Sequence, residues 1–142
     1  MNILVSSCLL GLNCRYDGKG VLSNDIIRLK EKYNLIPFCP EIYGGLPTPR
    51  EPAEIINGKV ITKSGKDVTS SYIQGAKQAL NLCELFNCKI AILKEKSPSC
   101  GYHKIHNGKF DGGLVNGDGI TAKLLSNNGI IVIGESQVHN FL

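Results

Sequence analysis

Four short apolar segments, separated by segments with helical patterning, constrain the fold of this chain more than any other feature. The apolar segments predict buried strands at Asn2–Ser6, Leu35–Phe38, Lys89–Leu93 and Ile130–Ile133. Between them, the patterning predicts helices at Asn24–Tyr33, at Thr69–Phe86 and after Gly117-Asp118-Gly119. Buried strands that alternate with helices are typical of a mostly parallel sheet with right-handed crossovers. We therefore predict an α/β, Rossmann-like fold with a four-stranded sheet in the order 2-1-3-4, flanked by helices.

Two Asn-Gly pairs interrupt this alternation. Asn57-Gly58 lies between two apolar pairs in the segment Glu54–Thr62, and Asn107-Gly108 repeats the arrangement in KIHNGKF. Asn-Gly is favoured in two-residue hairpin turns because both central residues of such turns take positive φ. The sequence thus predicts two β-hairpin excursions from the sheet. A chain of 142 residues with no low-complexity segment is expected to form one domain, residues 1–142.

Three of the six cysteines follow predicted strands. Cys8 comes after the first strand, Cys39 directly after the second, and Cys100 in the loop that leaves the third. Because the carboxyl ends of parallel strands share one edge of the sheet, we expect these thiols to lie close together. Three thiolates are suitable ligands for a soft metal or an iron–sulfur cluster. The sequence contains no CxxC pair, so neither zinc-ribbon nor ferredoxin spacing supports this interpretation.

The other three cysteines have different settings. Cys83 falls on the apolar face of the long predicted helix, and Cys88 adjoins a predicted buried strand, so both are expected to be core residues. The apolar positions of that helix are Ile73, Ala76, Leu80 and Cys83. Cys14 lies six residues beyond Cys8 in a loop at the same edge. A fourth ligand, a sulfur-handling thiol and a bystander are all consistent with that position.

Charge and hydropathy argue against a nucleic-acid partner and against a membrane-spanning segment. The net charge is +4, but the basic residues are interleaved with acidic ones, which favours a solvated surface over a nucleic-acid interface. No apolar run approaches the roughly 20 residues that span a membrane. The segment before Cys8 lacks the features of a secretion signal, so we expect a cytoplasmic protein with reduced thiols. Cysteines in such a compartment favour metal binding or catalysis over disulfides.

Four segments together resemble the 2-thiouracil desulfidase family over nearly the whole chain. They are CLLGLNCRYDG (Cys8–Gly18), CPEIYGGLPTPREP (Cys39–Pro52), KSPSCG (Lys96–Gly101) and GDGITAKLL (Gly117–Leu125). The resemblance implies a 4Fe–4S cluster held by three cysteines, with no protein ligand on its fourth iron. Carried over by motif, the ligands are Cys8, Cys39 and Cys100. The resemblance also implies that Glu41 is the catalytic acid/base and that a serine assists it, either Ser97 or, as second choice, Ser99.

The function that the resemblance implies is removal of sulfur, as sulfide, from a small thiocarbonyl compound such as a thiolated pyrimidine. An open iron would bind the soft sulfur atom, while Glu41 activates water or protonates the ring. Arg15 and Arg50 are candidate substrate-binding residues. Each also has a structural alternative, because Arg15 could pair with Asp17 and Arg50 could brace its proline-rich loop.

Simpler roles and two other functions compete with this interpretation. Glu41 could be an ordinary surface carboxylate, and Ser97 could cap a turn beside its proline. A cluster-free sulfur-transfer enzyme would use Cys100 or Cys14 as a persulfide-carrying nucleophile. A non-enzymatic, metal-stabilised binding module would unfold when its metal is removed. The predicted strands and helices supply a core without such a metal, which disfavours the last alternative.

Overall fold

The computed structural model describes residues 1–141, which form eight strands and four α-helices. The strands are β1 (Asn2–Ser6), β2 (Asn34–Phe38), β3 (Ala53–Ile56), β4 (Lys59–Thr62), β5 (Ile90–Leu93), β6 (Lys104–His106), β7 (Leu114–Asn116) and β8 (Ile131–Gly134). The helices are α1 (Asn24–Arg28), α2 (Pro40–Tyr43), α3 (Thr69–Leu85) and α4 (Ile120–Asn127). Short 3-10 segments cover Ser7–Leu10, Leu29–Glu31 and Glu135–Phe141. None of the helices in this range combines the length and apolar character that a membrane crossing requires.

The central sheet is parallel and has the order β2-β1-β5-β8. Counted along the chain, its strands have the order 2-1-3-4, which confirms the predicted topology and the α/β fold class. Successive residues of β1 enter opposite cores, because side chains alternate between the faces of a strand. Leu4 packs with residues of α3 and α4, whereas Ile3 and Val5 pack with residues of α1 and the last 3-10 segment. Helices therefore cover both faces and leave the strand ends open.

Both predicted hairpins are present, but only the first uses its Asn-Gly pair as a tight turn. Asn57 (φ 51°) and Gly58 (φ 78°) form the two-residue connection between β3 and β4. In the second hairpin, residues 107–113 form a longer loop between β6 and β7. The prediction of a tight turn at Asn107-Gly108 was therefore wrong, although the prediction of a hairpin was right.

Glu54 on β3 accounts for the longer loop. Its Oε1 accepts hydrogen bonds from the backbone N–H groups of Gly108, at 2.9 Å, and Phe110, at 3.2 Å. Glu54 is buried, so these two donors compensate a carboxylate that has little access to water. The contact fastens the second hairpin to the first, and a tertiary interaction thereby overrides the local turn preference.

Helix α3 begins at the predicted residue, but its buried face differs from the predicted one. Ala76 and Cys83 are buried as expected, whereas Ile73 is 42% exposed and the neighbouring Tyr72 is 2% exposed. The reason is α2, a single turn within the proline-rich segment Cys39–Pro52 that the sequence predicted to be a loop. This turn packs against α3, and its Glu41 accepts a hydrogen bond from the Tyr72 hydroxyl, so Tyr72 is covered there instead of Ile73.

The close approach of α2 to α3 depends on Gly75. A Cβ atom on Gly75 would lie 1.9 Å from the carbonyl oxygen of Pro40. We expect Gly75→Ala to lower the free energy of unfolding by about 1–3 kcal/mol, as overpacking of a close contact does. Urea denaturation measures the change, with Gln74→Ala on the exposed side of the same helix as the control. Helix propensity alone predicts the opposite sign, so a variant more stable than the wild type would contradict the packing argument.

Candidate active site

The three predicted ligand cysteines line one cavity at the carboxyl edge of the sheet. Cys8 lies in the 3-10 turn after β1, Cys39 directly follows β2, and Cys100 lies in the loop after β5. The cavity has a volume of about 420 Å³. Cys8 and Cys100 are buried, and Cys39 is partly buried. The parallel strand order thus brings together three thiols that are distant in the sequence.

The surroundings of Cys39 and Cys100 favour the protonated thiol over the thiolate. Desolvation raises the pKa of Cys100 to about 12, against hydrogen bonds from Ser6 and Ser99 that lower it. The pKa of Cys39 is also raised, first by its hydrogen bond with Cys14 and then by burial. A metal centre compensates the charge of buried thiolates, and three thiolates suit a soft metal or an iron–sulfur cluster. The donor set and its burial therefore fit such a group.

The described residues do not form a site for a single metal ion. Within residues 1–141, no three Cys, His, Asp or Glu side chains are grouped closely enough to hold one metal ion. A four-iron cluster is a larger object than one ion, and it spaces its thiolate ligands further apart. The three thiols line a cavity of about 420 Å³.

Cys14 also lines this cavity, which places a fourth thiol beside the predicted ligands. The Sγ of Cys39 lies 3.8 Å from the carbonyl oxygen of Cys14, within hydrogen-bond distance. The Cys39 thiol lowers the pKa of Cys14, but the Cys8 thiol, together with burial, raises it to about 11. Cys83 and Cys88, in contrast, do not line the cavity and are buried in the core between the sheet and α3, as predicted.

The carboxylate of Glu41 is held by three donors. The Tyr72 hydroxyl donates to Oε1 at 2.5 Å, and the Ser99 hydroxyl lies 3.1 Å from Oε2. The guanidinium of Arg50 forms an ion pair with Oε1 at 3.4 Å. Glu41 lies in the first turn of α2, two residues after Cys39, and its side chain is 17% exposed. This carboxylate is therefore fixed in orientation at the cavity wall and is not an ordinary surface group.

The two candidate serines have different positions. Ser97 lines the cavity, and its Oγ accepts the backbone N–H of Cys100 at 2.7 Å. Ser99 is fully buried, and its hydroxyl lies within hydrogen-bond distance of Glu41 Oε2, at 3.1 Å, and of Cys100 Sγ, at 3.5 Å. Ser97 thus caps a turn and also faces the cavity, whereas Ser99 connects the carboxylate to a predicted ligand.

The loop that carries Cys100 is fixed against the N-terminus of α4. The carbonyl oxygen of Ser99 accepts the backbone N–H of Thr121 at 2.8 Å. A Cβ atom on Gly119 would lie 2.5 Å from that same oxygen. The second glycine of the GDG motif therefore permits the contact, and two motifs that are distant in sequence form one structural unit.

The two arginines predicted to bind substrate also differ. The Arg50 side chain is 7% exposed, and it donates to the carbonyl oxygens of Pro47, at 3.1 Å, and Cys14, at 3.0 Å. Together with its ion pair to Glu41, these bonds brace the proline-rich loop, which was the structural alternative. Arg15 lines the cavity and lies 3.9 Å from Asp17 at its partly exposed rim. Of the two, Arg15 is the residue accessible to a ligand.

Sequence reasoning missed several side chains at this site. Ser6 donates to Cys100 Sγ at 3.5 Å and accepts the backbone N–H of Lys94 at 2.9 Å. His106, interpreted from sequence as a surface or hairpin residue, lines the cavity, and its Nδ1 has no hydrogen-bond partner among the described residues. Tyr72 was also missed. A tyrosine on an apolar helix face could have indicated this contact, because a buried hydroxyl requires a hydrogen-bond partner.

Comparisons with known proteins cover nearly the whole chain. A family model described as 2-thiouracil desulfurase matches residues 3–137. The chain is 45% identical over 150 residues to the protein YbbK of Bacillus subtilis (strain 168), with 99% of each chain covered. It also resembles the solved structure of a 4Fe-4S-dependent thiouracil desulfidase, TudS (DUF523Vcz), with a TM-score of 0.92 and 46% identity. That match covers 98% of this chain and 93% of the other.

Proposed function

Because this chain belongs to the 2-thiouracil desulfurase family, an enzyme family, we propose that it removes sulfur from a thiolated pyrimidine or a similar small thiocarbonyl compound. The observation that carries the proposal is the convergence of Cys8, Cys39 and Cys100 on a cavity that Glu41 also lines. The structural relative is named as a 4Fe-4S-dependent thiouracil desulfidase, which supports the same cofactor here.

In this proposal Cys8, Cys39 and Cys100 are the protein ligands of a 4Fe–4S cluster. Such a cluster would supply a Lewis-acidic iron without a protein ligand, which has affinity for a soft sulfur atom. The residues present suit that group, since the three thiols come from separate strand ends and line the same cavity. The Ser6 hydroxyl adds a hydrogen bond to the Cys100 sulfur, and such a bond tunes a thiolate ligand.

Glu41 moves the proton in the proposed reaction. Its carboxylate takes a proton from the water that attacks the C–S carbon and returns it to the departing sulfur or to the ring. The net change replaces a C=S bond with a C=O bond and releases hydrogen sulfide, with water as the only co-reactant. No electrons are gained or lost. The three donors around Glu41 keep its oxygens oriented during this transfer.

The remaining polar groups at the cavity have binding and positioning roles in this scheme. Ser97 and Arg15 line the cavity and orient the substrate through hydrogen bonds. Ser99 is buried behind the wall and holds Glu41 in place. Arg50 keeps the proline-rich loop, and with it α2, against the loop of Cys14.

Anaerobic purification with quantification of iron and acid-labile sulfide tests this function. We expect a brown protein with about four irons and four sulfides per chain, as a 4Fe–4S cluster contains. This protein should release sulfide from 2-thiouracil and lose that activity after removal of the iron by chelation. Activity that survives chelation would favour cluster-free sulfur transfer through a cysteine instead. Absence of turnover, with unfolding on metal removal, would favour the binding module.

A further inference from the structure

Tyr72 contacts the catalytic carboxylate from the protein interior. Its ring packs among Ala53, Val60 and Val68, and Tyr72 also lines the cavity. The Tyr72 hydroxyl donates to Glu41 Oε1 at 2.5 Å. Hydrogen bonds from a hydroxyl to an ionised carboxylate are short and strong at such distances.

The position of this hydroxyl is rigid. Tyr72 lies one turn before Gly75, the residue at which α3 touches the carbonyl oxygen of Pro40 in α2. Glu41 is the next residue after Pro40, so the helix contact fixes donor and acceptor relative to each other. Burial, followed by the charge of Glu41, raises the pKa of Tyr72, so its hydroxyl remains a proton donor.

The other bonds to Glu41 do not duplicate this contact. Ser99 reaches only Oε2, and its hydroxyl also lies within reach of Cys100 Sγ. Arg50 approaches Oε1 at the longer distance of 3.4 Å, and its guanidinium is bound to loop carbonyl oxygens. Without the Tyr72 hydroxyl, Oε1 keeps only this longer contact within residues 1–141, and the carboxylate gains rotational freedom. A purely structural role in packing would require the ring of Tyr72 but not its hydroxyl oxygen.

We propose that Tyr72 is a positioning residue that fixes the orientation of the Glu41 carboxylate for proton transfer. The inference rests on the proposed function, in which Glu41 moves the proton. Tyr72 acts through Glu41, so its hydroxyl should affect the chemical step and leave substrate binding unchanged. Misplacement of a reacting group by about 1 Å costs up to roughly 100-fold in rate.

Kinetics of the cluster-containing Tyr72→Phe variant test the proposal. We expect kcat for sulfide release from 2-thiouracil to fall roughly 10- to 100-fold, with KM within about twofold of the wild type and iron content unchanged. The control is Tyr43→Phe, which removes the hydroxyl of an exposed tyrosine and should leave kcat unchanged. Adding Tyr72→Phe to Glu41→Gln should cause no further loss, because the positioned group is already absent.

Proton NMR of the cluster-free protein gives a readout that does not depend on activity. A short hydroxyl–carboxylate bond should produce a far-downfield proton resonance that disappears in Tyr72→Phe and moves upfield in Glu41→Gln. Absence of this resonance from the wild type, an unchanged kcat in Tyr72→Phe, or losses that multiply in the double variant would each overturn the inference. A wild-type protein that releases no sulfide would instead overturn the proposed function itself.

Discussion

Replacement of Cys100 by serine is expected to abolish both the bound cluster and the release of sulfide. A serine oxygen is a harder ligand than a thiolate, and two remaining cysteines hold a four-iron cluster poorly. The fold should survive because the exchange is nearly isosteric and the hydroxyls of Ser6 and Ser99 lie within hydrogen-bond distance of the substituted atom. Iron and sulfide analysis, visible absorbance and far-ultraviolet circular dichroism measure the three effects separately.

A second buried cysteine provides the matched control. Cys83→Ala removes a thiol that packs in the core and does not line the cavity. It should retain iron and activity, with a loss of about 1–2 kcal/mol in the free energy of unfolding as a small core truncation. If Cys100→Ser kept its full iron content, Cys100 would be excluded from the ligand set. If Cys83→Ala lost its iron, cluster loss would reflect general destabilisation of the fold.

Glu41→Gln should remove most of the activity while leaving the protein folded and its cluster in place. Glutamine has the same shape and retains an oxygen for the Tyr72 hydroxyl, but it cannot carry the proton. General acid–base groups contribute roughly 10²- to 10⁴-fold, so kcat should fall by that factor. The rate of sulfide release under anaerobic conditions, normalised to iron content, measures the loss.

An exposed carboxylate on α3 separates this effect from a general change in charge. Glu84→Gln alters a side chain on the solvent side of that helix and should leave kcat and iron content unchanged. Full activity in Glu41→Gln would exclude Glu41 from proton transfer, whatever the family resemblance implies. A loss of iron in the same variant would indicate that Glu41 supports the cluster site instead.

Local sequence patterns were sufficient for the sheet and for the grouping of the cysteines. Short apolar runs and helical spacing reflect backbone periodicities that hold within a few residues, so β1, β2, β5, β8 and α3 were all predicted close to their observed bounds. The usual doubly-wound layout then led to the strand order, and the parallel direction of the strands placed Cys8, Cys39 and Cys100 at one edge. The predicted family resemblance is confirmed by the family match over residues 3–137.

Only the tertiary structure decided which groups surround Glu41. Periodicity could not choose between Tyr72 and Ile73 as the buried residue, because that choice depends on α2, which packs from another part of the chain. Glu54 likewise determines the second hairpin from more than fifty residues away. The different positions of Ser97 and Ser99 also depend on contacts with distant segments, since Ser99 reaches Glu41 on α2. Contacts between distant segments are set by the packing of whole elements, and no short stretch of sequence encodes them.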